Sequence, residues 1–192
     1  MQAWLVSTGI VALAEIGDKT QLLAFVLAAR YRKPLPIVLG ILVATLLNHA
    51  LAGALGSMIV ATLSPQTLRW LLGASFLAMA GWALIPDKFE QDQAPDPTPR
   101  WGVFVATTVA FFVVEMGDKT QVATVALAAR FDDIVAVVAG TTIGMMLANA
   151  PAVFIGERIA HKLPVRAIHM LVAALFALLG IWVILGGSMP TA

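Results

Sequence analysis

Two charged heptapeptides interrupt otherwise apolar stretches of this sequence, and they limit its fold more than any other feature. Residues 15–21 read Glu-Ile-Gly-Asp-Lys-Thr-Gln, and residues 115–121 read Glu-Met-Gly-Asp-Lys-Thr-Gln. A charged side chain at the centre of a bilayer costs about 2.5–3.5 kcal/mol on insertion scales. Six charges inside segments of hydrocarbon length therefore call for burial between helices and for a functional explanation.

The composition places the chain in the membrane class. Of its 192 residues, 60% are hydrophobic and 12% are charged, whereas a soluble domain is about 25% charged. The net charge of +1 gives no reason to expect a nucleic-acid partner. The lack of cysteine excludes disulfides, thiolate metal sites and thiol nucleophiles. No Lys or Arg precedes the first apolar run, so we expect a retained helix rather than a signal peptide.

The apolar runs predict an all-α membrane protein with six transmembrane helices, because each run reaches the roughly 20 residues that a bilayer requires. The predicted spans are residues 3–29, 36–62, 68–85, 101–129, 134–155 and 167–185. The first and fourth are longer than usual. We expect each of them either to tilt or to break, the first near Gly17 and the fourth near Gly117.

The two motifs belong to an internal repeat. Residues 15–30 and 115–130 share ten of sixteen positions at a shift of 100. We divide the chain into a first three-helix repeat (1–86), an acidic, proline-rich linker (87–100) and a second three-helix repeat (101–192). Because three is odd, the second repeat enters the membrane with opposite polarity, which predicts two inverted repeats with a site at their interface.

Loop charge predicts the orientation in the membrane, since cytoplasmic loops carry an excess of Lys and Arg. With the N-terminus outside, only Arg69 and Arg130 lie on the outer side. Eight basic residues then lie on the cytoplasmic side: Arg30, Arg32, Lys33, Lys88, Arg100, Arg158, Lys162 and Arg166. The prediction is a multi-pass protein of the inner (plasma) membrane with both termini outside the cytoplasm.

The charges in the motifs predict a cation site. On a continuous helix, Glu15 and Asp18 lie about 60° apart on one face, and Lys19 follows Glu15 by four residues, the spacing of an ion pair. If the motifs meet, four carboxylates and two ammonium groups leave a charge of −2, which one divalent cation or two protons would neutralise. The predicted metal ligands are Glu15, Asp18, Glu115 and Asp118. Oxygen ligands suit Mn²⁺, Ca²⁺ and Mg²⁺, and a site neutralised by either metal or protons suits an antiporter. The alternative is a structural Glu–Lys pair in each helix.

Further polar residues are predicted to support this site. They are Lys19, Thr20, Gln21, Lys119, Thr120, Gln121, Asn48, His49 and Asn149. Each threonine would either ligate the ion or bond back to its own helix. As a ligand, His49 would favour Mn²⁺ over Ca²⁺; the competing interpretation is an interhelical hydrogen bond.

The twin Glu-x-Gly-Asp-Lys-Thr motif resembles that of the Gdt family of cation/proton exchangers, whose bacterial members include manganese exporters of the MneA type. The resemblance covers two three-helix halves and an acidic central loop, and it is specific because two copies are present. It implies export of Mn²⁺, or else Ca²⁺, in exchange for protons. The family's site falls on the same four acids, with the motif lysines and threonines beside them.

Other functions remain open at this level. One is a small-solute exporter of the amino-acid type, in which the lysines and acids bind a zwitterion. Others are a non-transporting membrane subunit, an intramembrane enzyme and a passive channel. The sequence predicts no enzyme and no cofactor: the cation and protons are substrates, the lipid bilayer is the surrounding partner, and a homodimer is left open.

Overall fold

The computed structural model describes residues 2–85, 99–131, 133–155 and 165–186. The predicted linker (87–100) thus falls largely outside the described residues. The described part is all helical and has no strand. Its eight helices are α1 Gln2–Ala14, α2 Lys19–Tyr31, α3 Pro34–Thr62, α4 Pro65–Ala83, α5 Gly102–Glu115, α6 Lys119–Arg130, α7 Ile134–Ile155 and α8 Val165–Ile184.

The first and fourth predicted spans are each broken into two helices. α1 ends at Ala14 and α2 begins at Lys19, while α5 ends at Glu115 and α6 begins at Lys119. The breaks lie at Gly17 and Gly117, with φ of 83° and 75°, a left-handed conformation that costs glycine nothing.

The break overturns one expectation and confirms another. A break near these glycines was one of the two predicted outcomes, and it is confirmed. The expectation that Glu15 and Asp18 share one continuous helix face is wrong, because the chain turns between them. Glu15 follows α1, whereas Asp18 is the N-cap of α2.

The distribution of side chains is that of a membrane protein. Three described helices are long and apolar enough to cross a bilayer: Pro34–Thr62, Ile134–Phe154 and Arg166–Ile184. Large apolar side chains face outward, as at Leu35 (65% exposed) and Leu55 (56% exposed), while Glu15 and Glu115 are buried. A soluble protein has the opposite arrangement, with its carboxylates in water.

The helix packing follows the 100-residue repeat. α1 lies along α7 just as α5 lies along α3, and α4 lies against α8. A Cβ placed on Gly40 would lie 2.8 Å from Cβ of Thr107, and one on Gly140 would lie 3.0 Å from Cβ of Ser7. The glycines therefore permit equivalent close approaches in the two halves.

The helix pair α4–α8 brings two equivalent residues face to face. The rings of Phe76 and Phe176, which are 100 positions apart, stack with centroids separated by 6.3 Å. Two residues that correspond in the repeat therefore contact each other across the α4–α8 pair.

Candidate cation site

Three buried carboxylates from the two motifs converge. One oxygen each of Glu15, Glu115 and Asp118 lies within 4.8 Å of the other two. All three residues are at most 1% exposed. Carboxylates this close repel one another in a dry interior, and an uncompensated buried charge is strongly destabilising. The arrangement is therefore suited to a cation or to protons that neutralise the group.

Each glutamate is oriented by the threonine of its own motif. The Thr20 hydroxyl donates to Oε2 of Glu15 at 2.5 Å, and the Thr120 hydroxyl donates to Oε1 of Glu115 at 2.6 Å. These bonds join residues five apart, which only the broken helix allows. Among the described residues, each of these two hydroxyls therefore donates to the glutamate of its motif and not to a carbonyl of its helix. The second oxygen of each glutamate, Oε1 of Glu15 and Oε2 of Glu115, has no hydrogen-bond partner within the described residues.

The two aspartates begin the second half of each broken helix. Asp18 and Asp118 are the N-caps of α2 and α6, both with extended backbone. Asp18 accepts a hydrogen bond from the backbone N–H of Thr20 at 3.4 Å. The positive end of a helix dipole favours a carboxylate at this position. Asp118 belongs to the three-carboxylate cluster; Asp18 is equally buried but is not one of its members.

Each lysine lies within ion-pair distance of the aspartate of the other motif. Lys19 Nζ lies 3.0 Å from Oδ1 of Asp118, and Lys119 Nζ lies 4.0 Å from Oδ1 of Asp18. The expectation that Lys19 lies in ion-pair position to Glu15 on one helix is wrong, because the chain turns at Gly17 between the two residues.

The crossed pairs decide where the excess charge resides. Each lysine lies beside an aspartate, and neither glutamate forms an ion pair with a Lys or Arg in the described ranges. Two of the four negative charges are therefore offset by ammonium groups. In the formal balance with all four acids ionised, the residual charge of −2 that the sequence predicts is that of Glu15 and Glu115.

The remaining predicted residues come mainly from α3 and α7. Asn149 Nδ2 donates to Oε2 of Glu15 at 3.2 Å, and His49 Nε2 lies 3.6 Å from Oε1 of Glu115. Asn48 donates to the carbonyl oxygen of Phe112 at 3.1 Å. These contacts bring Asn48, His49 and Asn149 up to the two broken helices.

The glutamines stabilise the breaks themselves. The side-chain oxygens of Gln21 and Gln121 accept from the N–H groups of Gly17 and Gly117, at 2.9 and 2.7 Å. Gln21 also donates to the carbonyl oxygen of Ala148 at 3.1 Å. Both glutamines therefore support the site by holding the backbone turns at Gly17 and Gly117.

Sequence reasoning missed some polar partners. Lys119 Nζ donates to the backbone carbonyl of Ile85 at 3.2 Å, a contact without a sequence signal because every residue carries a carbonyl. The buried hydroxyls of Ser7 and Thr107 were also missed, and neither has a hydrogen-bond partner among the residues described. Their separation of 100 positions was a usable signal.

Comparison with known proteins agrees with these features. The family model described as "Divalent cation/proton antiporter GDT1" matches residues 3–91 and 103–190. A Vibrio cholerae protein named "Putative manganese exporter" is 50% identical over 182 residues, which cover 94% of this chain and 90% of that protein. A "GDT1-like protein" of Synechocystis is 28% identical over 189 residues, covering 90% of this chain and 91% of that protein.

A more distant relative carries the family's own name. The "Divalent cation/proton antiporter GDT1" of Saccharomyces cerevisiae is 23% identical over 229 residues, with 92% of this chain and 81% of that protein covered. No solved structure gives a significant match. Since the family model covers most of both halves, this membrane protein belongs to the GDT1 family of divalent cation/proton antiporters.

Proposed function

We propose that this protein exports Mn²⁺ from the cytoplasm in exchange for protons, with Ca²⁺ as the second candidate cargo. The observation that carries the proposal is the convergence of Glu15, Glu115 and Asp118 in the interior, with their oxygens within 4.8 Å. Membership of a cation/proton antiporter family supports it, as does the name of the Vibrio relative.

The charge balance of the site explains why metal and protons would exchange for each other. With the aspartates beside lysines, Glu15 and Glu115 hold two uncompensated negative charges. Either one divalent cation or two protons neutralises them, so loading one displaces the other. Two unpaired glutamate oxygens provide ligand positions that need not first give up a hydrogen bond.

The proposed ligands are Glu15, Glu115, Asp118 and Asp18. Asp18 is included because it is buried and holds the same N-cap position as Asp118. The other motif and helix residues would support these carboxylates: Lys19, Thr20, Gln21, Lys119, Thr120, Gln121, Asn48, His49 and Asn149.

The proposed architecture is six membrane crossings in two inverted repeats, 1–86 and 101–192, joined by the linker 87–100. Each broken helix would make one crossing, with the site at mid-depth, as in transporters built from discontinuous helices. The matched packing of the halves and the two family-model segments support this division. Loop charge supports an inner (plasma) membrane protein with both termini outside the cytoplasm.

The test is metal-driven proton movement in proteoliposomes of the purified protein. With a pH dye inside, addition of Mn²⁺ should drive proton efflux, Ca²⁺ should drive less, and Asp118→Asn should abolish both. Asp133→Asn is the matched control, since Asp133 is exposed, lies outside both motifs and accepts from the N–H of Ala136 at the start of α7, a role that asparagine also fills.

Other outcomes would select other functions. Metal entry without proton movement would indicate a channel. Flux driven by amino acids alone would indicate a small-solute exporter. Absence of any flux would indicate a non-transporting membrane subunit.

A further inference from the structure

His49 is a buried histidine whose polar atoms are not satisfied. It lies in α3 at 0% exposure, and neither ring nitrogen has a hydrogen-bond partner within the described part of the chain. A neutral imidazole carries one N–H donor and one lone pair. Leaving such groups buried and without hydrogen-bond partners is unfavourable, because they lose their bonds to water. Packing alone does not account for a histidine at this position.

The equivalent residue in the second half behaves differently. Asn149, 100 positions later, donates from Nδ2 to Oε2 of Glu15 and to the carbonyl oxygen of Met145, both at 3.2 Å. The Asn149 amide therefore has hydrogen-bond partners in the buried interior, one of which is Glu15. His49 faces Glu115 in the corresponding place and forms no such bond. The two halves of the site differ chemically at this position.

The distance between His49 and Glu115 fits shared coordination better than direct bonding. Nε2 of His49 lies 3.6 Å from Oε1 of Glu115, beyond the usual 2.7–3.2 Å of an N–H···O hydrogen bond. Neighbouring ligands of an octahedral cation bonded at about 2.1 Å lie about 3 Å apart, and slightly further apart at longer bond lengths. A small movement of either side chain would bring both atoms onto one ion.

We infer that Nε2 of His49 is a ligand of the transported cation and makes the site prefer Mn²⁺ to Ca²⁺ and Mg²⁺. The inference rests on the proposed function and names its selectivity determinant. Imidazole nitrogen suits transition metals, whereas Ca²⁺ and Mg²⁺ take oxygen ligands. The negative charge of the carboxylates attracts any divalent cation. A single nitrogen ligand would bind Mn²⁺ more strongly than Ca²⁺ or Mg²⁺ and so select among these cations.

The direct test needs no change in the protein. Pulsed electron paramagnetic resonance spectra are recorded for the purified protein loaded with Mn²⁺. They are compared with spectra of the same protein produced in cells supplied with ¹⁵N-histidine. An imidazole bound directly to Mn²⁺ should modulate the electron spin echo at the ¹⁴N frequency in the unlabelled protein. In the labelled protein the modulation should occur at the ¹⁵N frequency. The signal should disappear in His49→Asn and persist in His169→Asn, the control at a half-buried histidine in α8. Bound Mn²⁺ without histidine coupling, or coupling that survives His49→Asn, overturns the inference.

A transport measurement tests the consequence for selectivity. In proteoliposomes, His49→Asn and His49→Gln should lower the Mn²⁺-to-Ca²⁺ ratio of initial rates by about 10-fold, the lower end of effects seen at metal-site partners. Two variants are used so that misfolding of one does not decide the result. An unchanged ratio overturns the inference.

The results separate the inference from the function on which it rests. Proton exchange by the wild type without nitrogen coupling would leave antiport standing and remove the role of His49. Nitrogen coupling in a wild type that moves no protons would support His49 as a ligand and contradict the antiport.

Discussion

The two motifs present their carboxylates almost identically but lie in different surroundings. The Thr–Glu bonds measure 2.5 and 2.6 Å, and the Gly–Gln bonds measure 2.9 and 2.7 Å. The exposure of the two breaks differs. The break of the second motif, at Met116 and Gly117, is exposed, whereas the break of the first, at Ile16 and Gly17, is half-buried.

The lysines differ in the same way. Lys19 is half-buried and lies 3.0 Å from Asp118, whereas Lys119 is buried, lies 4.0 Å from Asp18 and donates to the Ile85 carbonyl. Local sequence therefore sets how each carboxylate is held, while the neighbouring helices set how it is covered and paired. Substitutions made in matched positions of both motifs can separate these contributions.

The largest expected effect is equal in the two motifs. Glu15→Gln and Glu115→Gln should each lower metal-driven proton flux by at least about 100-fold, since removing a ligand should exceed the 10–100-fold cost of losing a supporting group. Each variant removes half of the uncompensated charge. Flux in proteoliposomes at matched protein content measures the loss, with Asp133→Asn as the control. A variant that retains wild-type flux would show that its glutamate is not required.

The threonines should also act alike. Thr20→Val and Thr120→Val each remove a hydroxyl donor from a glutamate, and a hydrogen bond to a charged group is worth about 1.5–3 kcal/mol. We expect apparent Mn²⁺ affinity to fall by at least about 10-fold in both variants, measured from the concentration dependence of proton flux. Thr20→Ser and Thr120→Ser keep the donor and should retain affinity. An effect confined to one motif would break the equivalence.

The ion pairs should separate the two motifs. A double-mutant cycle on Lys19→Met and Asp118→Asn should give a coupling energy of about 1–2 kcal/mol, and the Lys119–Asp18 cycle should give less than about 1 kcal/mol. The reason is the difference between 3.0 and 4.0 Å in the two pairs. Chemical or thermal unfolding of the detergent-solubilised protein provides the free energies. Equal couplings would contradict the asymmetry.

The last expected effect concerns the backbone at the exposed break and not the transport site. Gly117→Ala should destabilise the protein by about 1–2 kcal/mol, because φ of 75° is unfavourable for alanine. No atom within 4 Å would contact the new methyl group, so the cost is conformational. Gly9→Ala and Gly81→Ala, in helices and equally uncrowded, should instead stabilise by about 0.5–1 kcal/mol. A neutral Gly117→Ala would show that the break tolerates another conformation.

Much of the fold was predictable because its determinants are local. Apolar length predicts helices and a membrane setting, and three described helices meet that criterion. Gly17 and Gly117 mark the breaks because they adopt positive φ between a glutamate and an aspartate.

The sequence by itself determined the matched motif carboxylates, their formal charge balance with the two lysines and the glycines at which a break was one of two expected outcomes, since these depend on neighbours in the chain and on composition. Only the tertiary structure decided that Lys19 pairs with Asp118, which places the excess charge on Glu15 and Glu115. It also decided that His49 meets Glu115 without a hydrogen bond. The physical reason is that these contacts join helices about 65–100 residues apart. Their partners depend on how α3 and α7 pack against the breaks, which no local pattern encodes.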